Sequence, residues 1–552
     1  MYSFLILLSY YWLIMFSIIG YGLLFSRILI KDDSVDIGYI GIFGIFLLIL
    51  ISYISHFFIP HNQIFNSIIL ILGLINLYLN KNSYFLKKDI KLVIIIFSVL
   101  IIFILTAKNH DDFPYYHFPY THLITEFSNV LGLGNFNHGF RTHSSIFYLS
   151  SFFNLPQSNL FLLNLSPVFF MGFCNLILLN RIKKYLTLNK TDSIFYLTLL
   201  SFIFINVFFY RLAEHGTDRS AMILIFILVI ELQYLNNIKK NFNENYLSKL
   251  FIVITLIISL KPFYILYILL FAPILLLLIK NRVSIFFFIK NKVLYLCLLM
   301  MCLLITTNFF NTGCLIYPVQ ILCFDNFSWS IPLSEVEYMN NWYQQWSKAG
   351  AGPTFRIDNP EIYIQNFNWV SNWINMYFFN KVSDFLLGLL FLVLVVYLIF
   401  YTKYKKTNTK NKFYFLYLIL ILLALEWFYF HPALRYGGYH LIALILFIPA
   451  SILMSKFLIN KSKLNIKVYF LIILTLVIFS SRNILRIHKE YQIYNYNIFT
   501  KPYYRAEEQN FSIFNRIVNI NNCTTEEKND QCKGNNIILK KMNNFKIYYR
   551  KK

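Results

Sequence analysis

The stretch KLFIVITLIISLKPFYILYILLFAPILLLLIK, residues 249–280, decides how the chain is read. As one helix it would run roughly 48 Å, whereas a hydrocarbon core of about 30 Å is crossed by about 20 apolar residues. Lys261 and Pro262 break its apolar pattern, so it reads as two spans joined at that pair, the first of them short.

Outward from this stretch, apolar runs lie near 4–25, 37–59, 64–80, 91–107, 159–180, 193–210, 220–236, 291–309, 384–401, 413–430, 438–456 and 467–481. With the split run the total is 14 spans, an all-α polytopic membrane protein with large outer loops. Charge parity supports the split. The Lys-rich segments 27–36, 81–91, 181–192, 237–248, 281–290, 402–412 and 457–466 then share the inner face, as the positive-inside rule requires. A single span over 249–280 would move three basic loops to the wrong side. The tail 482–552 is basic yet falls outside, which is tolerable because long segments translocate largely regardless of charge.

Composition agrees. The 552 residues are 58% hydrophobic and 13% charged, with a mean hydropathy of +0.57, against about a quarter charged in soluble chains. The net charge of +24 comes from short loops between spans, which argues against a nucleic-acid partner. No cleavable signal peptide is expected. The reading divides the chain into three helices (1–90), a core (91–309) with outer loop 108–158, an aromatic-rich outer loop (310–383), further helices (384–481) and the outer tail (482–552).

Of seven cysteines, Cys174, Cys297 and Cys302 sit in spans. Cys314/Cys323 and Cys523/Cys532 form two local pairs on the outer face, where disulfides persist. Chance proximity is the alternative. An outer compartment like the periplasm is expected.

Ionisable groups concentrate on that face. KNHDDFPYYHFPYTH (108–122) carries His110, Asp111, Asp112, His117 and His122; RLAEHGTDRS (211–220) carries Glu214, His215, Asp218 and Arg219; FHPALRYGGYH (430–440) carries Arg435. Asp111 and Asp112 are candidate ligands or bases, with helix capping as the plainer role. Glu214, Asp218, His110 and His215 are candidate supporting acids, bases or metal ligands, while the second stretch also suits an ordinary turn around Gly216. Arg141, Arg219, Arg435 and Arg482 are candidate phosphate binders, because a guanidinium grips phosphate bidentately, or else membrane-surface anchors. Lys261 reads equally well as a snorkelling side chain. The tyrosines at 115, 116 and 120 read as an interfacial belt, and most of the tryptophans in 310–383 as interface packing.

A span ending in HDDF (110–113), then a second acidic turn EHGTD (214–218) two spans later, resembles the GT-C superfamily of glycosyltransferases. HDDFPYYHFPYTHLITE and GLGNFNHGFRTHSSIFYL also resemble a group of uncharacterised bacterial membrane proteins. The GT-C resemblance implies transfer of a sugar from a polyprenyl-phosphate donor to a glycan, lipid or protein acceptor. It implies Asp111 or Asp112 as base, and Mg²⁺ or Mn²⁺ held by the other acid with Glu214 or Asp218. Arginines, Arg141 and Arg435 first among them, would neutralise the departing phosphate. The expected setting is a bacterial inner membrane, with the site facing the periplasm. An O-antigen-type polymerase or ligase, or a lipid-linked-glycan transporter, are the alternatives. The catalytic reading expects Asp111, Asp112, Asp218 and Arg435 to meet at one cavity.

Overall fold

The apolar run 249–280 breaks at the expected pair. A helix spans Glu244–Leu260, Lys261 turns extended (φ −143°, ψ 95°), and Pro262 opens a 3₁₀ helix to Phe271 that continues as Ala272–Lys280. Proline drives the break, since its ring pushes the preceding residue out of helical geometry and it lacks the N–H that would continue the ladder. This computed structural model describes residues 1–31, 35–80, 84–128, 130–158, 160–211, 217–237, 244–280, 289–352, 357, 359–403, 414–505, 511–523, 537–542 and 545–550.

About 76% of the structure is helical. Among the described residues, six helices are long and apolar enough to cross a membrane: Tyr2–Ile30, Ile37–His56, Leu160–Thr187, Lys292–Thr312, Val370–Phe400 and Lys461–Tyr494. Five shorter apolar helices accompany them: Gln63–Leu79, Ser193–Phe208, Pro262–Leu276, Tyr414–Phe430 and Gly438–Met454. The first three helices, α1 (Tyr2–Phe25), α2 (Ile37–His56) and α3 (Gln63–Leu79), pack at glycines. A Cβ at Gly20 would stand 1.9 Å from the Gly73 carbonyl oxygen, and one at Gly22 would stand 1.8 Å from that of Ile40. Such close backbone approach suits apolar surroundings, where dispersion has to replace the hydrophobic drive between helices.

Among the described residues, a three-stranded sheet departs from the all-helical reading. Residues Val130–Leu131 (β1) of the first large loop pair in parallel with Phe545–Arg550 (β3), which pairs antiparallel with Ile537–Met542 (β2). Gly132, at φ +80°, lies so close to the strand that a Cβ would meet the Tyr548 carbonyl oxygen at 2.0 Å. The C-terminal tail is thus tied onto loop 108–158.

A second tie positions the acidic segment. The helix Lys461–Tyr494 runs about 51 Å by its rise, well past its apolar stretch, and its far end carries buried Asn483, Arg486 and Glu490. Helix Ile101–Ile104 ends beside it, leaving backbone groups that need partners. Arg486 donates to the Ile102 carbonyl (3.2 Å), and the Glu490 carboxylate accepts from the Ala107 N–H (2.6 Å). The Arg505 N–H donates to the Ala107 carbonyl (2.9 Å). These contacts fix where residues 108–112 begin.

The large loops and the tail meet one another. Arg141 of the first loop pairs with Glu335 of the second, and so does Arg550 of the tail. Elsewhere Arg181 pairs with Glu231, Asn291 donates to Ser248 (2.9 Å), and Thr402 donates to the Leu458 carbonyl (3.0 Å). Cys314 and Cys323 form a disulfide; Cys532 and the side chain of Cys523 lie outside the described residues. Trp369 and Trp373 are buried within the protein rather than arrayed as a surface belt.

Candidate functional site

Asp112 stands at the N-cap of a short wide turn, Phe113–His117, with Pro114 in its opening. Its carboxylate makes no capping bond there. It accepts instead from Arg435 Nη2 (2.9 Å) and from the Tyr116 hydroxyl (3.1 Å). Arg435 comes from a 3₁₀ turn, Leu434–Tyr436, between two apolar helices. Its Nε donates to Asp218 Oδ2 (3.3 Å), so one guanidinium bridges two carboxylates. Asp218 opens the helix Asp218–Asn237, a position favoured by the helix dipole. Its Oδ1 accepts from the ammonium of Lys261, the residue freed from helical geometry by Pro262, and from the Thr217 hydroxyl (3.2 Å). The side chains of Lys261 and Asp218 are 12% and 13% exposed, so both charges are largely withdrawn from water and depend on each other.

Burial would push the Asp112 carboxyl up, but Arg435, with His110 and His117, outweighs it and holds the group at about 2. For Asp218 burial is likewise overcome, by Lys261 and then Arg435, and the group is held below its ordinary value. Arg435 is raised: burial opposes its charge, and Asp218 and Asp112 more than restore it. The imidazoles go the other way. Burial, and then Arg435, lowers His110, while burial, followed by His110, lowers His117 to about 3. Both histidines are neutral at pH 7. The Tyr116 hydroxyl is raised by burial and by Asp112, and remains a donor.

This network walls a cavity of about 900 Å³. Asp111, Asp112, Asp218, Arg219, Arg435 and His110 all line it, so the four residues expected to meet do meet. Lys108, Arg211 and Lys381 add cations, and Trp346 lies under the Arg435 guanidinium at 5.6 Å. Asp111 is exposed at this wall. Glu214 and His215 lie outside the described residues.

Two expected phosphate binders are elsewhere. Arg141, 3% exposed, donates from Nε to the Gly134 carbonyl (2.9 Å), from Nη1 to the Tyr317 hydroxyl (3.1 Å) and from Nη2 to Glu335 (2.7 Å). Three protein acceptors consume it in joining loops 108–158 and 310–383. Arg482 donates to the Val207 carbonyl (2.6 Å) and lies 3.7 Å over the Tyr210 ring, anchoring a helix end. Lys261 and Tyr116 are the network residues that sequence reasoning passed over. The signal for Lys261 was its proline neighbour, because a charge at a helix break is better placed to find a partner than to reach a membrane surface.

No curated protein and no solved structure matches the chain. One family model does match, over residues 3–442, a stretch that contains Asp112, Asp218, Lys261 and Arg435, and the chain therefore belongs to the family DUF8201, a domain of unknown function.

Proposed function

We propose that this protein is a polytopic membrane glycosyltransferase of 14 spans, moving a sugar from a polyprenyl-phosphate donor to an acceptor at the outer, periplasmic face of a bacterial inner membrane. The observation that carries the reading is the gathering of Asp111, Asp112, Asp218, Arg219 and Arg435 at one cavity. Transfer to a hydroxyl needs a base, a cradle for the departing phosphate, and a site large enough for a sugar; 900 Å³ falls within the usual range for ligand pockets.

The roles divide by how each carboxylate is held. Asp112 is committed to Arg435 and Tyr116, which makes it the anchor of the guanidinium. Asp111, exposed at the wall, takes the acceptor's proton. The acceptor oxygen then bonds to the anomeric carbon as the bond from that carbon to the phosphate oxygen breaks, and the electron pair leaves on the phosphate. Arg435, held by Asp112 and Asp218 through Nε and Nη2, and Arg219 both line the cavity and supply positive charge for the departing phosphate. A Mg²⁺ or Mn²⁺ ion between Asp112 and Asp218 does not fit this arrangement. Arg435 already joins the pair, and Asp218 Oδ1 is taken by Lys261.

The test is the glycan profile of cells carrying Asp111→Asn/Asp112→Asn at normal protein levels. Loss of one glycan class is expected; an unchanged profile overturns the reading. Transport of a lipid-linked glycan is the second reading, favoured by the helix break at Lys261–Pro262 and the buried pair beside it.

A further inference from the structure

The imidazole of His117 is 4% exposed, and neither ring nitrogen has a hydrogen-bond partner. A buried polar group left this way is costly and calls for an unseen partner, water or ion. Its surroundings differ from those of His143, whose ring nitrogens are also buried without partners but lie among the rings of Tyr53, Tyr120 and Tyr148. The rings of His117 and His110 stack at 5.3 Å, and one ligand atom each from His110, Asp112 and His117 all lie within 4.8 Å of one another.

We propose that His110, Asp112 and His117 form a binding site for a transition-metal ion of the zinc type. Two imidazole nitrogens and one carboxylate oxygen suit Zn²⁺ or a similar borderline ion, whereas Mg²⁺ demands an oxygen shell. Tetrahedral ligands at zinc distances stand roughly 3.4 Å apart, so a span of 4.8 Å closes with side-chain shifts on the order of 1 Å. Arg435 and Tyr116 already hold the Asp112 carboxylate, as the outer partners of a ligating group do. His110 and Asp112 also line the cavity, which places the ion's remaining coordination position on the cavity side. Three protein ligands with one open position is the pattern of a zinc ion that meets a ligand or substrate. The site is independent of the glycosyl-transfer reading and stands or falls separately from it.

The test uses the full-length protein, purified in detergent, stripped with a chelator and titrated with Co²⁺. The expected result is a visible ligand-field band that saturates at about one equivalent and is bleached by Zn²⁺ but not by Mg²⁺. His117→Gln and His110→Gln are each expected to weaken binding by at least about 100-fold, given that outer-partner losses alone cost 10- to 100-fold. Asp111→Asn keeps it. His110 is part-exposed at the cavity, so its variant serves as the second test should His117→Gln fail to fold. A wild-type protein with no saturable band, or histidine variants that bind Co²⁺ as well as wild type, overturns the proposal.

Discussion

Replacing Arg435 by methionine removes the cation that Asp112 and Asp218 share while keeping much of the volume. At 2.9 Å and 3.3 Å, each attraction is worth about 5 kcal/mol gross at an effective dielectric of about 20. The cost of burying the charges offsets part of it, and breaking a buried pair nets about 3–5 kcal/mol. Asp112 gives a separate figure. It is held at about 2, against an ordinary value near 3.9, a difference worth about 3 kcal/mol at neutral pH. Its folded value is depressed, so in the wild type this share is present above pH ~4 and is lost as pH falls toward ~2. In the variant burial, which raises the carboxyl, is opposed only by His110 and His117, so the penalty is greatest at pH 7 and eases as the group takes up a proton. The assay is resistance to SDS-induced unfolding in mixed micelles, followed by tryptophan fluorescence, at pH 7 and pH 5. A deficit of about 3 kcal/mol that shrinks at pH 5 is expected, with Arg435→Lys intermediate because one ammonium cannot fork to both acids. A variant as resistant as wild type, or a deficit equal at both pH values, refutes the reasoning.

Three further outcomes follow from the same contacts. Arg141→Ala strands the Gly134 carbonyl and leaves Glu335 to Arg550 alone, and limited proteolysis should cut loops 108–158 and 310–383 far faster than in Arg550→Ala, whose arginine is more exposed. Reduction of Cys314–Cys323, a separation of 9 residues, should lower stability by about 3 kcal/mol on the chain-entropy account; alkylation should label these two thiols only after reductant. Gly20→Leu should prevent accumulation of folded protein, because the added side chain meets the Gly73 backbone, as a thermal-shift assay of membrane extracts would show.

Much of this was legible in the sequence for a physical reason. Apolar runs near membrane length, a proline beside a lysine, and adjacent acids after a span are local signals, and they located the helix break, the apolar helices and the acids of the cavity. What stayed hidden depends on distant pairing. Val130–Leu131 shows nothing of a strand until Phe545–Arg550 arrives beside it. Arg141 looks like any outer arginine until Glu335 and Tyr317 close around it. Tyr116 reads as one more interfacial ring; only the fold turns its hydroxyl onto Asp112 while Tyr115 stays exposed and Tyr120 is buried against Asn311. The gathering of charges into a few loops was readable from the sequence, whereas the choice of partner for each charge was not.

Whether the cavity performs transfer rather than transport is tested most directly with purified protein in detergent, because micelles offer no second compartment. Protein is mixed with a radiolabelled lipid extract rich in polyprenyl-phosphate sugars and with acceptor from the same membranes. Wild-type protein is expected to move label from the lipid to the acceptor fraction, and Asp111→Asn, folded equally well, to leave it on the lipid. Label that stays on the lipid with both proteins, or moves equally with both, contradicts the transfer reading.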